Sequence, residues 1–124
     1  MSWQILTSIA LGGALGAMLR YLIVQWVETS SGFPLGTLLV NVVGSFAIGI
    51  CYVLIMEKSV IPELWRPLLM VGLLGGFTTF SAFSLEAVYL FEDGRLLIAF
   101  GYIVLSVILC ILAAFFAMQL TRYF

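Results

Sequence analysis

From Leu35 to Met56 the chain carries no charged side chain, and three more apolar runs flank this one: Ile5 to Val27, Pro67 to Phe91 and Leu96 to Leu120. Each is close to the ~20 residues that a helix needs to cross the hydrocarbon core of a bilayer. In lipid a helix must satisfy its own backbone amides and carbonyls, because no water is present to do so. The chain therefore reads as an all-α membrane protein, a single four-helix transmembrane domain over residues 1–124. Composition agrees, with 64% hydrophobic and 9% charged residues. The net charge of −1 includes no basic run, which argues against nucleic acid as a partner. No Lys or Arg precedes the first apolar run, so a cleaved signal peptide is not expected.

One stretch sits badly in such a helix. Gly72 to Ser84 reads G-L-L-G-G-F-T-T-F-S-A-F-S, and Gly75-Gly76 followed by Thr78-Thr79 is poor at keeping a helical ladder closed. A break in the third helix, in mid-membrane, is expected here. Non-helical backbone at that depth is tolerated where protein buries it or where it lines a cavity or holds an ion.

Other polar groups fall into stripes. Thr37, Asn41 and Ser45 recur every four residues, as do Tyr102, Ser106 and Cys110, so each set shares a helix face. Either stripe alone is ordinary helix-to-helix glue. Two stripes beside a hydroxyl-rich break fit a lined pathway better. Phe77, Phe80 and Phe83 repeat every three residues, which by itself is a packing stripe; next to a break, the positive edges of the rings can also face an anion. Arg20 and Glu86 are the charges well inside apolar runs. Arg20 is expected to reach the interface along its stem or to pair with an acidic loop residue, and Glu86 to face a vestibule. Gly12, Gly13 and Gly16 read as a close-packing surface. Histidine is absent, and the two cysteines, Cys51 and Cys110, lack metal-site spacing.

Asn amides, hydroxyls and ring edges without a line of Lys or Arg suit a small anion that must shed water and still move. Four spans hardly enclose a path alone, so at least a dimer is expected. Carbonyls released at the break would suit a hard cation held between subunits. Four spans place both termini on the side of Lys58, Arg66 and Arg122, with Arg95 opposite. The bias is slight, and insertion in both orientations stays open.

Three motifs, G-A-L-G-A-M-L-R-Y (13 to 21), P-L-G-T-L-L-V-N-V-V-G-S-F (34 to 46) and G-G-F-T-T-F-S-A-F-S (75 to 84), together resemble the CrcB/Fluc family of fluoride channels over nearly the whole chain. The resemblance implies an antiparallel, dual-topology homodimer in the bacterial cytoplasmic (inner) membrane. It would carry two fluoride pathways that let fluoride leak out of the cell. It also implies that Asn41 donates to fluoride, that Phe80 and Phe83 flank the ion, and that Ser81, Ser84, Tyr102 and Ser106 line its path. Backbone carbonyls of Gly75 and Thr78 would hold a structural sodium ion (Na+). Ala82 and Cys110 depart from the pattern, standing where the family can carry a hydroxyl. A small proton-coupled multidrug or cation transporter is the rival reading, although its coupling carboxylate is missing from the first helix. A non-transporting packing subunit is a third. An enzyme is not expected, since no nucleophile–base pair, ligand cluster or phosphate loop is apparent.

Overall fold

The computed structural model describes residues 2–28 and 30–124. Four helical stretches are long and apolar enough to cross a membrane: Trp3–Trp26, Leu35–Glu57, Glu63–Glu92 and Leu96–Tyr123. The protein is thus an all-helical, multi-pass membrane protein. Its ends fall within a few residues of the hydropathy boundaries. The exception is the third span, which starts ahead of Pro67 with a short 3-10 turn over Glu63–Trp65.

Helix α1 (Trp3–Trp26) begins where the Ser2 hydroxyl accepts the Gln4 amide at 3.2 Å, a serine N-cap. Trp3 and Trp26, 82% and 88% exposed, stand at its two ends. They are ~34 Å apart along the axis at 1.5 Å per residue, suited to the two interfaces of a bilayer. Helix α2 (Leu35–Tyr52) starts at Pro34, which serves as its N-cap rather than its first-turn residue, and runs on as a π-helical turn over Val53–Glu57. After a tight loop in which Ser59 takes a positive φ, the third span opens with a second π-helical segment, Pro67–Leu73. It continues as α3 (Leu74–Phe77). Regular helix then stops for two residues and resumes as α4 (Phe80–Glu92). Helix α5 (Leu96–Tyr123) closes the chain.

Packing is governed by small residues. In hydrocarbon, apolar side chains gain nothing by leaving lipid, so helices associate where backbones can approach closely. The α1 glycines lie on the third span: a Cβ on Gly12 would meet Gly72 and the Leu73 amide, and one on Gly16 would collide with the Leu73 carbonyl. Gly76 lies equally close to the backbone of Gly13. Helix α2 lies against α5, where Gly49 meets Ala114 and Ala117. A small core forms where α2, α4 and α5 converge, with Leu38, Phe83, Ala87, Leu90, Ala99 and Tyr102 buried. Elsewhere long apolar side chains point outward, as expected where the solvent is lipid. At one end of the bundle Arg122 grips Glu57 through two hydrogen bonds of 2.6 and 2.8 Å, tying the last turn of α5 to the end of the second span.

Candidate functional site

The interruption between α3 and α4 organises the site. Thr78 (φ −90°, ψ 160°) and Thr79 (φ −152°, ψ 123°) are both extended. Threonine suits this, since its branched Cβ favours the extended region over the helical one. Two extended residues strand the last carbonyls of α3 and the first amides of α4, and in an apolar bundle each stranded group needs a partner. The Leu74 carbonyl accepts from both the Thr78 amide (3.1 Å) and the Thr78 hydroxyl (2.9 Å). The Thr79 hydroxyl caps α4 by accepting the Ala82 amide at 3.1 Å.

Two distant side chains complete the repair. Arg20 donates its Nε–H to the Gly76 carbonyl at 3.0 Å. Among the described residues it pairs with no acidic side chain, and a stranded carbonyl one helix away takes its Nε–H instead. Asn41 behaves as a detached peptide group: its Oδ1 accepts the Thr79 amide at 2.8 Å and its Nδ2 donates to the Thr79 carbonyl at 3.0 Å. One N–H of that amide group remains to serve something else.

Beside the interruption lies a groove of about 430 Å³ between α2, the third span and α5. Asn41, Ser45, Thr78, Thr79, Phe80, Phe83, Ser106 and Cys110 line it, with Gly75 and Met70 at one end. Ser106 is 5% exposed, and its hydroxyl has no hydrogen-bond partner among the described residues. Leaving a buried hydroxyl unpaired costs about 1–3 kcal/mol, so the wall of the groove holds an unsatisfied donor.

An aromatic column leads away from the groove. Phe80 and Phe83 have ring centroids 5.5 Å apart, Phe83 and Tyr102 5.1 Å, and Phe33 meets Tyr102 edge-on at 5.5 Å. Phe83 and Tyr102 are buried, whereas Phe80 is 77% exposed on the outer side of the chain. Past Tyr102 stands Glu86, whose carboxylate accepts the Thr37 hydroxyl at 2.7 Å and the Tyr102 hydroxyl at 2.8 Å. Glu86 also lines two smaller clefts, of about 190 and 330 Å³, on either side of Pro34. It therefore borders clefts at the protein surface.

The nine candidate residues do not all meet. Asn41, Gly75, Thr78, Phe80, Phe83 and Ser106 share the groove. Tyr102 stands behind Phe83 and spends its hydroxyl on Glu86. Ser81 and Ser84 are not among the groove's lining residues: Ser84 donates to the Phe80 carbonyl at 2.9 Å, and Ser81 lies 3.4 Å from the Thr79 hydroxyl. A helix turns ~100° per residue, so Ser81 is turned away from both Phe80 and Phe83, while Ser84 shares the Phe80 face one turn further along α4. Sequence reasoning overlooked Thr79 as the group that Asn41 holds, and Thr37 with Tyr102 as the pair holding Glu86. Only the placement of Thr37 one turn before Asn41 hinted at the second. Among the described residues no group of three or more His, Cys, Asp or Glu could hold a metal. Any cation here would have to use backbone and hydroxyl oxygens.

The fold and the groove define an all-helical, multi-pass membrane protein with a largely apolar, uncharged groove, holding a few polar groups, beside an interrupted span. The chain is a member of the CrcB family, whose model, "CrcB-like protein, Camphor Resistance (CrcB)", matches residues 7–118. A protein of Hahella chejuensis named "Fluoride-specific ion channel FluC" is 53% identical, with 98% of both chains covered. Proteins of the same name from Saccharophagus degradans and Rhizobium meliloti are 47% and 50% identical, over 93% and 90% of this chain and 87% and 90% of theirs.

Proposed function

We propose that this chain is a fluoride-selective channel that gives passive fluoride export across the bacterial cytoplasmic membrane. The observation that carries the reading is the groove, where an unpaired Ser106 hydroxyl and the spare Asn41 N–H stand beside Phe80 and Phe83 with no basic side chain to trap an anion. Such donors replace part of the ion's hydration, and ring edges add attraction without a full charge. Names of relatives from three organisms point the same way. Movement down a gradient through such a path makes and breaks no covalent bond, so no enzymatic step is invoked.

The working unit is an antiparallel, dual-topology homodimer with two pathways, the third span interrupted at mid-membrane depth. Supporting this, one subunit leaves its groove open along the side, so the few polar groups that line it, Asn41, Ser45 and Thr79 among them, would face lipid that cannot hydrogen-bond them. A structural sodium ion sits between the subunits on the carbonyls of Gly75 and Thr78. The residues fit it. Gly75 is exposed, and a Cβ there would meet nothing nearer than the Met70 carbonyl at 3.8 Å, so packing within the chain does not explain the glycine. Bare backbone beside a helix end offers the hard oxygen ligands that such a cation takes. Bound there, the ion would supply positive charge that neutralises helix-end carbonyls brought together from two subunits.

Fluoride release from proteoliposomes, followed with a fluoride electrode after adding a potassium ionophore, tests the reading. Release is expected to be fast, to stop without the ionophore and to leave chloride inside. Prolonged replacement of sodium should slow release without imposing a fixed ratio between the two ions. No release from verified dimers would overturn the proposal; a drug-dependent proton flux abolished by Glu86→Gln would replace it with coupled transport. Separately, Phe80→Ile and Phe83→Ile are each expected to cut release by at least about tenfold in intact dimers, since an aliphatic edge lacks the ring's quadrupole. Unchanged release in both would remove the aromatic column from the path.

A further inference from the structure

We infer that Cys110 is a modification site through which small, uncharged thiol-reactive electrophiles close the pathway; this rests on the channel reading above. Cys110 is a free, half-buried thiol on α5 that lines the groove. One turn earlier on the same helix face is Ser106, whose buried hydroxyl has no partner among the described residues. An unpaired donor and a thiol four residues apart, both lining one cavity, mark a place shaped for an occupant rather than for packing. Cys51, the other free cysteine, lies on α2 and is not among the residues lining the groove. The two thiols of this chain are thus placed differently with respect to the path.

The surroundings select the reagent. Most of the wall near Cys110 is apolar, with Val107, Ile111 and Met70 lining the same groove, so an uncharged molecule enters at less cost than an ion of similar size. Methyl methanethiosulfonate meets this description. The Cys110 thiol gives its proton to water, the thiolate attacks the sulfenyl sulfur, a mixed methyl disulfide forms, and methanesulfinate leaves with the electron pair of the broken sulfur–sulfur bond. No outside oxidant is needed. The added methylthio group fills part of the groove and pushes against the Ser106 hydroxyl, removing both space and a donor. Larger or charged reagents should react more slowly. A thiol reductant reverses the change.

The test uses the full-length protein in proteoliposomes with methyl methanethiosulfonate as the probe. Wild-type fluoride release is expected to fall at least ~10-fold, to recover with dithiothreitol, and to track the gain of one methylthio group mapped to Cys110. Cys51→Ala should respond as wild type does. Cys110→Ala, compared with its own untreated rate, should not respond. Complete labelling of Cys110 with release unchanged would overturn the inference, as would a block that persists in Cys110→Ala or a conducting protein whose Cys110 takes no label. Wild type that releases no fluoride before treatment defeats the channel reading instead. In that case label on Cys110 ahead of Cys51 still supports an accessible thiol in the groove, and its absence rejects one.

Discussion

Asn41→Ala is expected to reduce fluoride release by about 100-fold or more, the equivalent of losing two buried hydrogen bonds at about 1–3 kcal/mol each. Asn41 bonds the Thr79 amide and the Thr79 carbonyl at 2.8 and 3.0 Å, so its removal strands both groups in an apolar bundle. The two extended residues then have no reason to stay as they are. They either collapse toward helix, which reorients Phe80 and Phe83, or draw in water. The substitution also removes the remaining N–H that the groove offers an anion. Two further variants separate these effects. Asn41→Ser is too short to bridge both Thr79 groups but adds no charge. Asn41→Asp keeps an acceptor for the Thr79 amide, yet sets a carboxylate against the Thr79 carbonyl and repels the anion. Asp should therefore conduct less than Ser. The comparison is made on purified protein at matched dimer content, with release measured by fluoride electrode. Release from Asn41→Ala within about twofold of wild type would show that neither the stitch nor the donor matters, because a buried bond of this kind is worth more than that.

The second large effect concerns stability. Gly16→Ala puts a methyl group onto the Leu73 carbonyl and 2.9 Å from the Phe77 amide. Both neighbours are backbone, so no side chain can turn away, and α1 must separate from the third span. Overpacking of this kind costs about 3 kcal/mol, which lowers a melting midpoint by on the order of 10 °C in a chain of this size. Gly13→Ala is the control on the same helix. Its Cβ would meet only the Gly72 carbonyl at 3.9 Å, an ordinary contact, and the melting midpoint should move by no more than a few degrees. Melting is read by the loss of monodisperse protein on size exclusion after heating. Equal midpoints for the two variants would mean that α1 does not pack against the third span as described.

Hydropathy and spacing accounted for a large share of this. Uncharged runs of spanning length leave a helix as the answer, since the hydrocarbon core admits little else, and the four spans lie where those runs lie. Gly12, Gly13 and Gly16 announced close packing, and α1 does lie against the third span through Gly12 and Gly16, whereas a Cβ on Gly13 would make only an ordinary contact. The spacing of Thr37, Asn41 and Ser45 placed them on one face, and Asn41 and Ser45 do line one groove. The likeness of three motifs to the CrcB family agrees with the family to which the chain belongs. All of these depend on periodicity or on local order along the chain, and one sequence contains that information.

What the tertiary structure decided is the identity of partners. A side chain's face follows from its position in the helix, but its hydrogen bond depends on which backbone group of another span lies within about 3 Å, and spacing along one helix does not encode distances between helices. Arg20 goes to the Gly76 carbonyl and Asn41 to both groups of Thr79, because two extended residues elsewhere leave those groups unpaired. Glu86 is held by Thr37 and Tyr102 from two different helices. Ser81 and Ser84, adjacent in sequence to the groove's phenylalanines, are not among the residues that line the groove, whereas Ser106, more than twenty residues away, lies in its wall with its hydroxyl unpaired. By itself the sequence determined that the chain has four helices long and apolar enough to cross a membrane, because lipid leaves a helix as the form such runs take. Which polar groups are consumed in holding the interrupted span, and which are left over, was settled only when the helices came together and each stranded amide and carbonyl found the nearest group able to bond it.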